Sequence, residues 1–410
     1  MKNLKYYLFA AVVGSSSVAS ANAFNINEHD ARVTGRGGAS AATNTSPSSM
    51  VFNPGGLAVA EGTSIVINGS IYVAEGSYEP MGGGEKTTTD SSPAIVPSIY
   101  VTSRVHEMVA VGVGLHLPFG LAVSWPENHA QAEVIQDQAL RTYFITPTVG
   151  LNLDKQVPGL SIGGGIDIVP ATVELEQAIL FGDTRGTVHL GGDALGIGGR
   201  FGVMYRPPSV PALKLGAMWR SDVTLDFTGK GDFDIEDPYR GQLPPDGDIA
   251  TSITLPQAVS GGVAYSPMPE LELEFNAVWI NWSKFDELRI ELPGGSETVS
   301  PQDYENTLTY RLGIEYTVPS KQLALRGGFI YDPTPIPRET LTARLPDVDR
   351  KNVTLGASKY FGDYGAHLGL LWVTPDERDT SDAAYMPIYK GTYGVQALVA
   401  SLMVSGTLGK

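Results

Sequence analysis

The feature that most narrows the fold is a hydrophobic alternation of period two that recurs along almost the whole chain. In 108–117 (MVAVGVGLHL) Val109, Val111, Val113, Leu115 and Leu117 share one face, and Ala110, Gly112, Gly114 and His116 the other. In 270–279 (ELELEFNAVW) Leu271, Leu273, Phe275, Ala277 and Trp279 stand against Glu272, Glu274 and Asn276. In 308–316 (LTYRLGIEY) Leu308, Tyr310, Leu312, Ile314 and Tyr316 stand against Thr309, Arg311, Gly313 and Glu315. Successive side chains of a strand point to opposite faces, so this is the period of strands and not of helices. About fourteen such segments fall near 62–74, 94–104, 108–118, 138–152, 159–175, 186–206, 212–229, 251–266, 270–292, 304–318, 321–333, 351–361, 365–375 and 391–404.

Their connectors alternate in length. Those at 103–107, 207–212, 266–270, 319–321 and 362–365 are short. Those at 75–93, 118–137, 230–250, 293–303, 334–350 and 376–390 are long and rich in Asp, Glu, Gly and Pro. An even number of strands, joined by alternately short and long connections, describes an antiparallel barrel that crosses a membrane. Closure also removes sheet edges, which hydrocarbon cannot satisfy. The prediction is all-β: a 14-stranded antiparallel transmembrane β-barrel over 61–410.

The minor face of these strands is mostly Gly, Ala, Ser and Thr, which leaves a lumen open, and a barrel this wide conducts unless filled. Residues 24–60 are polar, rich in small side chains, and end in the turn Asn53-Pro54-Gly55-Gly56 just before the first strand. They are expected to form a plug inside the lumen. In it Asn53 bonds backbone groups and Pro54 fixes the turn.

Ahead of them, Lys2 and Lys5 precede an apolar run from Tyr6 to Val13 and an Ala21-Asn22-Ala23 site. That is the pattern of a signal peptide over 1–23, and the run is well short of the roughly 20 apolar residues of a membrane anchor. Without those two lysines the 28 bases and 44 acids leave 26 − 44 = −18. Phosphates are repelled by such a balance, so nucleic acid is excluded as a partner. Acidic outer loops suit either divalent cations among lipopolysaccharide or simple solubility. Cysteine is absent, so neither a disulfide nor a thiolate metal site is available. A monomer in the outer membrane of a Gram-negative cell is expected.

Several motifs occur in a telling order. Residues 24–58 (FNINEHDARVTGRGGASAATNTSPSSMVFNPGGLA), 255–265 (LPQAVSGGVAY) with 279–288 (WINWSKFDEL), and 324–337 (ALRGGFIYDPTPIP) with 345–350 (LPDVDR) resemble successive parts of the FadL/TodX (OmpP1) family. These are outer-membrane transporters of long-chain fatty acids and other hydrophobic compounds. Asn53 and Pro54 fit the family's Asn-Pro-Ala hatch motif, while Gly55 departs from its alanine. The resemblance implies a hatch within a 14-stranded barrel and sideways release through a wall opening at a kinked third strand. Gly112, Gly114 and Pro118 are the kink candidates. Family members usually end on an aromatic residue, whereas this chain reads SGTLGK, so the last strand finishes earlier or that assembly signal is degenerate.

Strand parity places Arg200, Arg220, Arg311, Arg326 and Lys284 on the lumen face, beside Asp167, Glu272, Glu274 and Glu315. An arginine facing lipid near the midplane costs about 2–4 kcal/mol. Each cation admits two readings: partner of an anionic head group through a charge-assisted hydrogen bond, or brace for the acids and the plug. Leu121, Val123 and Trp125 form an amphiphilic outer stretch, either a landing groove for a greasy substrate or part of an aromatic girdle. Asp232, Asp234, Glu236 and Asp237 lack the glycine placement of a calcium loop and read as a solvated loop. No metal or cofactor is expected.

None of the six histidines lies in an H-E-x-x-H context and no G-x-S-x-G element accompanies them, so the chain does not read as an enzyme. The expected function is passive outer-membrane uptake of long-chain fatty acids or related hydrophobic molecules, bound in the lumen and released laterally. The alternative is a channel for aromatic hydrocarbons of the toluene type. A general porin is opposed by the plug, and an outer-membrane lipid-acting enzyme by the missing catalytic motifs.

Overall fold

A computed structural model describes residues 23–60, 62–382 and 389–409. Apart from Ala23, the expected signal peptide lies outside the described residues. The strands are β1 (Thr63–Pro80), β2 (Ala94–His106), β3 (Val109–His116 and Gly120–Ser124), β4 (Asp137–Thr142 and Phe144–Asn152) and β5 (Leu160–Phe181). They continue as β6 (Thr184–Tyr205), β7 (Leu213–Arg220 and Val223–Asp234), β8 (Gly247–Leu255 and Ala258–Met268), β9 (Leu271–Ile280 and Glu287–Glu291) and β10 (Glu297–Pro301 and Thr307–Val318). The last four are β11 (Leu323–Asp332), β12 (Arg350–Phe361), β13 (Tyr364–Asp379) and β14 (Gly391–Leu408).

Each strand pairs antiparallel with its neighbours in sequence. β1 pairs with β14 from Thr63↔Leu408 to Pro80↔Gly391, which closes a barrel of 14 strands. Closure gives the wall's backbone groups partners inside the sheet, as a hydrocarbon environment requires.

The two faces divide as the alternation predicts. Phe275 is 46% exposed on the outside, and Asn276 beside it is 2% exposed within. Leu312, Ile314 and Tyr316 likewise face out, while Arg311 is buried. At the outer end this rule changes. A continuous strand over 212–229 would put Leu225 and Phe227 on the same face as Trp219. Instead β7 is interrupted at Ser221-Asp222, the side-chain parity flips, and Leu225 and Phe227 are buried while Trp219 is exposed. The Pro256-Gln257 interruption flips β8 in the same sense, so Val259 and Val263 face out but Ile253 and Leu255 face in. Above these breaks the outward positions are polar, among them Thr224 and Asp226, as suits strands standing in water.

Residues 24–60 form two short helices, α1 (Ala31–Gly35) and α2 (Ser49–Phe52), and a 3₁₀ turn at Pro54–Val59. The Asp30 carboxylate caps α1 by accepting from the Arg32 and Val33 amides. This segment packs against the inner face of the sheet, from Gly150 and Gly163 on one side to Gly328, Gly356 and Gly369 on the other. Main chain lies against main chain at these contacts, with Ala41 over Gly216 and Pro54 over Gly163. The predicted small-residue face is what allows that approach.

Leu312 lies in the middle of the apolar outer belt and is 54% exposed. Leu312→Arg is expected to destabilise the folded barrel by about 2–4 kcal/mol. Urea titration of folding into lipid vesicles measures this, and a shift below about 0.5 kcal/mol is incompatible with a lipid-facing site.

Candidate functional site

In the outer half of the barrel the inward positions turn apolar and surround a cavity of about 1000 Å³ including its mouth. Every strand from β4 to β9 contributes, among them through Leu140, Val173, Leu190, Phe227, Ile253 and Ile290. Phe24 forms the floor, edge-on to Trp282 with ring centroids 4.8 Å apart and to Phe285 at 5.8 Å. The connector between β11 and β12 folds back over the mouth and lines it with Ile336, Arg344 and Leu345.

That connector is pinned by a second loop. Trp125 Nε1 donates to the Ala343 carbonyl at 2.8 Å, and the Ala343 amide donates to Gln131 Oε1 at 2.8 Å. Gln131 in turn donates to the Tyr393 hydroxyl at 2.7 Å, and the Trp125 ring stacks on His129 at 5.1 Å. Trp125 is therefore no part of an exposed outer groove. It is 4% exposed, because its indole N–H is drawn to a carbonyl of the covering loop. Val123 is buried as well, and Leu121 lines the cavity.

Arg344 is the charged side chain that sequence reading missed. It sits in the apolar wall, donates to the Val134 carbonyl at 3.3 Å, and pairs with no carboxylate among the described residues. Burial lowers its pKa from the usual guanidinium value, the mark of a cation short of a counter-ion. It lies in a connector, where no parity exists to assign a face. The nearest signal was a lone base among Leu341, Ala343 and Leu345.

The arginines predicted for the lumen divide into two pairs. Arg200 is fully buried and bridges Asp167 at 2.8 Å, and it also donates to the Met50 and Val51 carbonyls of α2. Arg326 bridges Glu315 at 2.5 Å and donates to Ser358. Glu272 and Glu274 are engaged by Arg36 of the N-terminal segment at 3.0 and 3.4 Å. Glu274 also accepts from the Ala42 amide at 2.8 Å. Arg220 and Arg311, by contrast, form no ion pair among the described residues. Arg220 lies 4.6 Å from the centre of the Phe119 ring, and Arg311 donates weakly to the Gly38 carbonyl at 3.4 Å.

Lys284 is not in the lumen. Residues 281–286 interrupt β9 with a 3₁₀ turn at Trp282–Lys284, parity is lost there, and Lys284 is exposed.

Asn53 Nδ2 donates to the Ala41 carbonyl at 2.6 Å and to Val203 of β6 at 3.0 Å, while its Oδ1 accepts from the Gly55 amide at 3.0 Å. Pro54 packs on Gly163 and Gly202. One side chain thus ties three pieces of backbone together at the end of the segment.

Beside β3 the ladder of the wall is interrupted. The β2–β3 ladder begins at Ile99↔Leu115 and runs inward, while Gly120–Ser124 pairs only with β4. On β2 the stretch Ala94–Ser98 pairs with β1 but finds no ladder partner on β3. Pro97 and Pro118 flank the gap, and neither can donate to a ladder. Leu117, which alternation assigns to the lipid face, turns inward and is 5% exposed. Gly112 and Gly114 lie within the regular ladder against Met50, so the interruption falls at Pro118 and not at either glycine. The freed backbone of β3 is taken up by the N-terminal segment. Ile26 N–H donates to the Pro118 carbonyl at 2.8 Å, and Gly120 N–H to that of Phe24 at 2.9 Å.

A closed barrel with an apolar outer belt, a lumen occupied by its own N-terminal segment, an apolar cavity above it and a break in the wall beside it defines an outer-membrane transport barrel. Residues 12–364 match the profile of the family described as outer membrane protein transport protein (OMPP1/FadL/TodX), and the chain belongs to that family. It is similar to outer membrane protein P1 of Haemophilus influenzae, 25% identical with 88% of each chain covered. It is also similar to the long-chain fatty acid transport protein of Escherichia coli, 22% identical with 66% of this chain and 67% of that one covered. Among solved structures, a Pseudomonas aeruginosa FadL homologue superposes with a TM-score of 0.83 at 18% identity, covering 94% of this chain and 100% of that one. The Ralstonia pickettii toluene transporter TbuX superposes at 0.73 and 18% identity, covering 93% and 99%.

Asp167 is the counter-charge of a buried arginine that also holds α2. Asp167→Asn is expected to destabilise the protein by about 3–5 kcal/mol, since it strands Arg200 in a dry site. Unfolding in urea from vesicles reads this out, with Asp248→Asn as control, whose exposed pair with Lys230 is worth under about 1 kcal/mol.

Proposed function

We propose that the protein takes up long-chain fatty acids and related hydrophobic molecules passively across the outer membrane. The observation that carries this reading is the outer cavity: its wall is mostly apolar, its one acid, Glu174, is paired with Arg141, and Arg344 is a guanidinium with no carboxylate partner among the described residues. The alkyl chain lies against Val173, Leu190 and Phe227 while Arg344 meets the carboxylate at the mouth. The printed name of the Escherichia coli relative supports the same cargo. Residues 24–60 act as the plug, anchored by Asn53 and Pro54 and by the pairs of Arg36 and Arg200. Movement of Phe24–Ile26 away from β3 opens the path to the break at Pro118, where the cargo leaves sideways into the bilayer. Release needs no nucleotide or metal, because each CH₂ transferred from water to lipid gains about 0.8 kcal/mol. Acidic outer loops meet lipopolysaccharide through divalent cations. The protein works as a monomer, one barrel holding the whole path.

A second reading, uptake of aromatic hydrocarbons, is favoured by the aromatic floor, where Phe24, Trp282, Phe285 and Tyr304 meet edge to face. The toluene transporter that shares the fold suits it too. Arg344 discriminates between the two. Arg344→Gln is expected to weaken palmitate binding ten- to hundredfold, the loss of a charge-assisted hydrogen bond of about 1.5–3 kcal/mol. Toluene binding stays as it was. Fluorescence or calorimetric titration of the purified protein measures both, and unchanged palmitate affinity with tight toluene binding selects the hydrocarbon reading.

The plug has its own test. Deleting residues 24–52 is expected to leave a barrel that inserts into planar bilayers and conducts small ions steadily. A truncated barrel that inserts and stays electrically silent rules out the plug.

A further inference from the structure

Beneath the aromatic floor lies a second chamber, of about 600 Å³, whose wall carries two arginines and no acid. Arg220 enters it from the inner segment of β7 and Arg311 from β10, each 7% exposed. The Nε of each is without a partner, and neither side chain forms an ion pair among the described residues. The nearby carboxylates bond elsewhere and touch neither guanidinium: Asp167 bonds Arg200, Glu28 the Tyr72 hydroxyl at 2.6 Å, and Asp332 Thr309. His29, which also lines the chamber, is pushed down to about 4 by burial and so is neutral at pH 7. Taking a guanidinium out of water without directly bonded acceptors is costly, and here two of them line one chamber with N–H donors left over. What the chamber wall lacks is an acceptor for these donors.

The chamber's position says what such an anion is for. Pro118 and Ile26 line it, and these two residues belong to the hydrogen-bonded patch that fills the break in β3. The neighbouring Phe119 ring lies between the Arg220 guanidinium, 4.6 Å away, and Phe24, whose ring centroid is 6.0 Å off and whose side chain floors the outer cavity. The chamber therefore sits between the outer cavity and the wall gap.

We propose that Arg220 and Arg311 form an anion-binding transit site, which receives the carboxylate of the cargo after it leaves Arg344 and before it reaches lipid. The head group moves first and stays ionised, and the chain follows through the parted Phe24–Phe119 contact. The identity of this ligand rests on the fatty-acid reading above. The existence of the site does not, because the same two guanidinium groups accept any small monoanion.

Crystals of the full protein soaked in sodium bromide and measured at the bromine edge are expected to show an anomalous peak in contact with both side chains. An Arg220→Gln/Arg311→Gln double variant is expected to lose it. No peak in the wild-type protein overturns the site. Transport tests the role, by comparing oleate with oleyl alcohol uptake in cells that lack other fatty-acid channels. Arg220→Gln and Arg311→Gln are each expected to lower the acid-to-alcohol ratio about tenfold, with Arg→Lys restoring most of it. A bromide peak with an unchanged ratio means an adventitious ion only and overturns the transit role. Equal loss of acid and alcohol uptake in both the Gln and the Lys variants marks a purely structural pair and overturns it too. Failure of the wild-type protein to bind oleate, with the bromide peak intact, overturns the fatty-acid reading of the outer cavity and not the anion site.

Discussion

Hydrocarbon offers no partner to a peptide group, and the rest of this molecule depends on how its main chain meets that constraint. The long β1–β14 ladder meets it by joining the ends of the sheet. The break in the ladder beside β3 falls where two prolines remove donors. Main-chain bonds from Phe24 and Ile26 to Gly120 and Pro118 make good part of the loss. The same bonds therefore seal the wall and hold down the end of the N-terminal segment. Any motion that frees one frees the other.

Along its height the lumen uses two kinds of chemistry. At the level of the lipid it is filled by backbone packed on glycine and by buried ion pairs such as Arg200–Asp167 and Arg36–Glu272. Such pairs contribute little net stability against an apolar substitute, but breaking one is costly, so they give a segment one position and penalise others. Above that level the inward side chains are Leu, Ile, Val and Phe, and the space between them stays open. The changeover falls at the two-residue interruptions of β7 and β8, where a flip in side-chain parity moves apolar residues from the lipid face to the interior. A sheet can thus be apolar outside where lipid is and apolar inside around the outer cavity, without a change of strand direction.

Much of this was legible in the sequence, for a stated reason. Period-two alternation survives wherever a strand is regular, which gave the strand number, the two faces and the inward placement of Arg200, Arg220, Arg311 and Arg326. It fails where the ladder is interrupted. Leu117, Leu225, Phe227 and Lys284 were each out of reach, because an interruption of a few residues resets parity without changing composition. Arg344 and Trp125 lie in connectors, which have no period to read. Nor does a one-dimensional pattern say which cations have partners. Arg200 and Arg220 occupy equivalent positions by parity, yet one is fully bonded and the other is not, and the difference arises from acids far away in the chain.

The inward small-residue face has a consequence for how the molecule is made. The N-terminal segment touches strands from both halves of the chain, and its main chain lies within van der Waals reach of Gly163 on β5 and Gly356 on β12. Clearances that tight leave no room to thread a prefolded segment into a finished cylinder. Either the segment enters unfolded and packs as it goes, or β1 meets β14 around it. Segment and seam are thus fitted to each other like a core and its winding, and neither reaches its final shape alone.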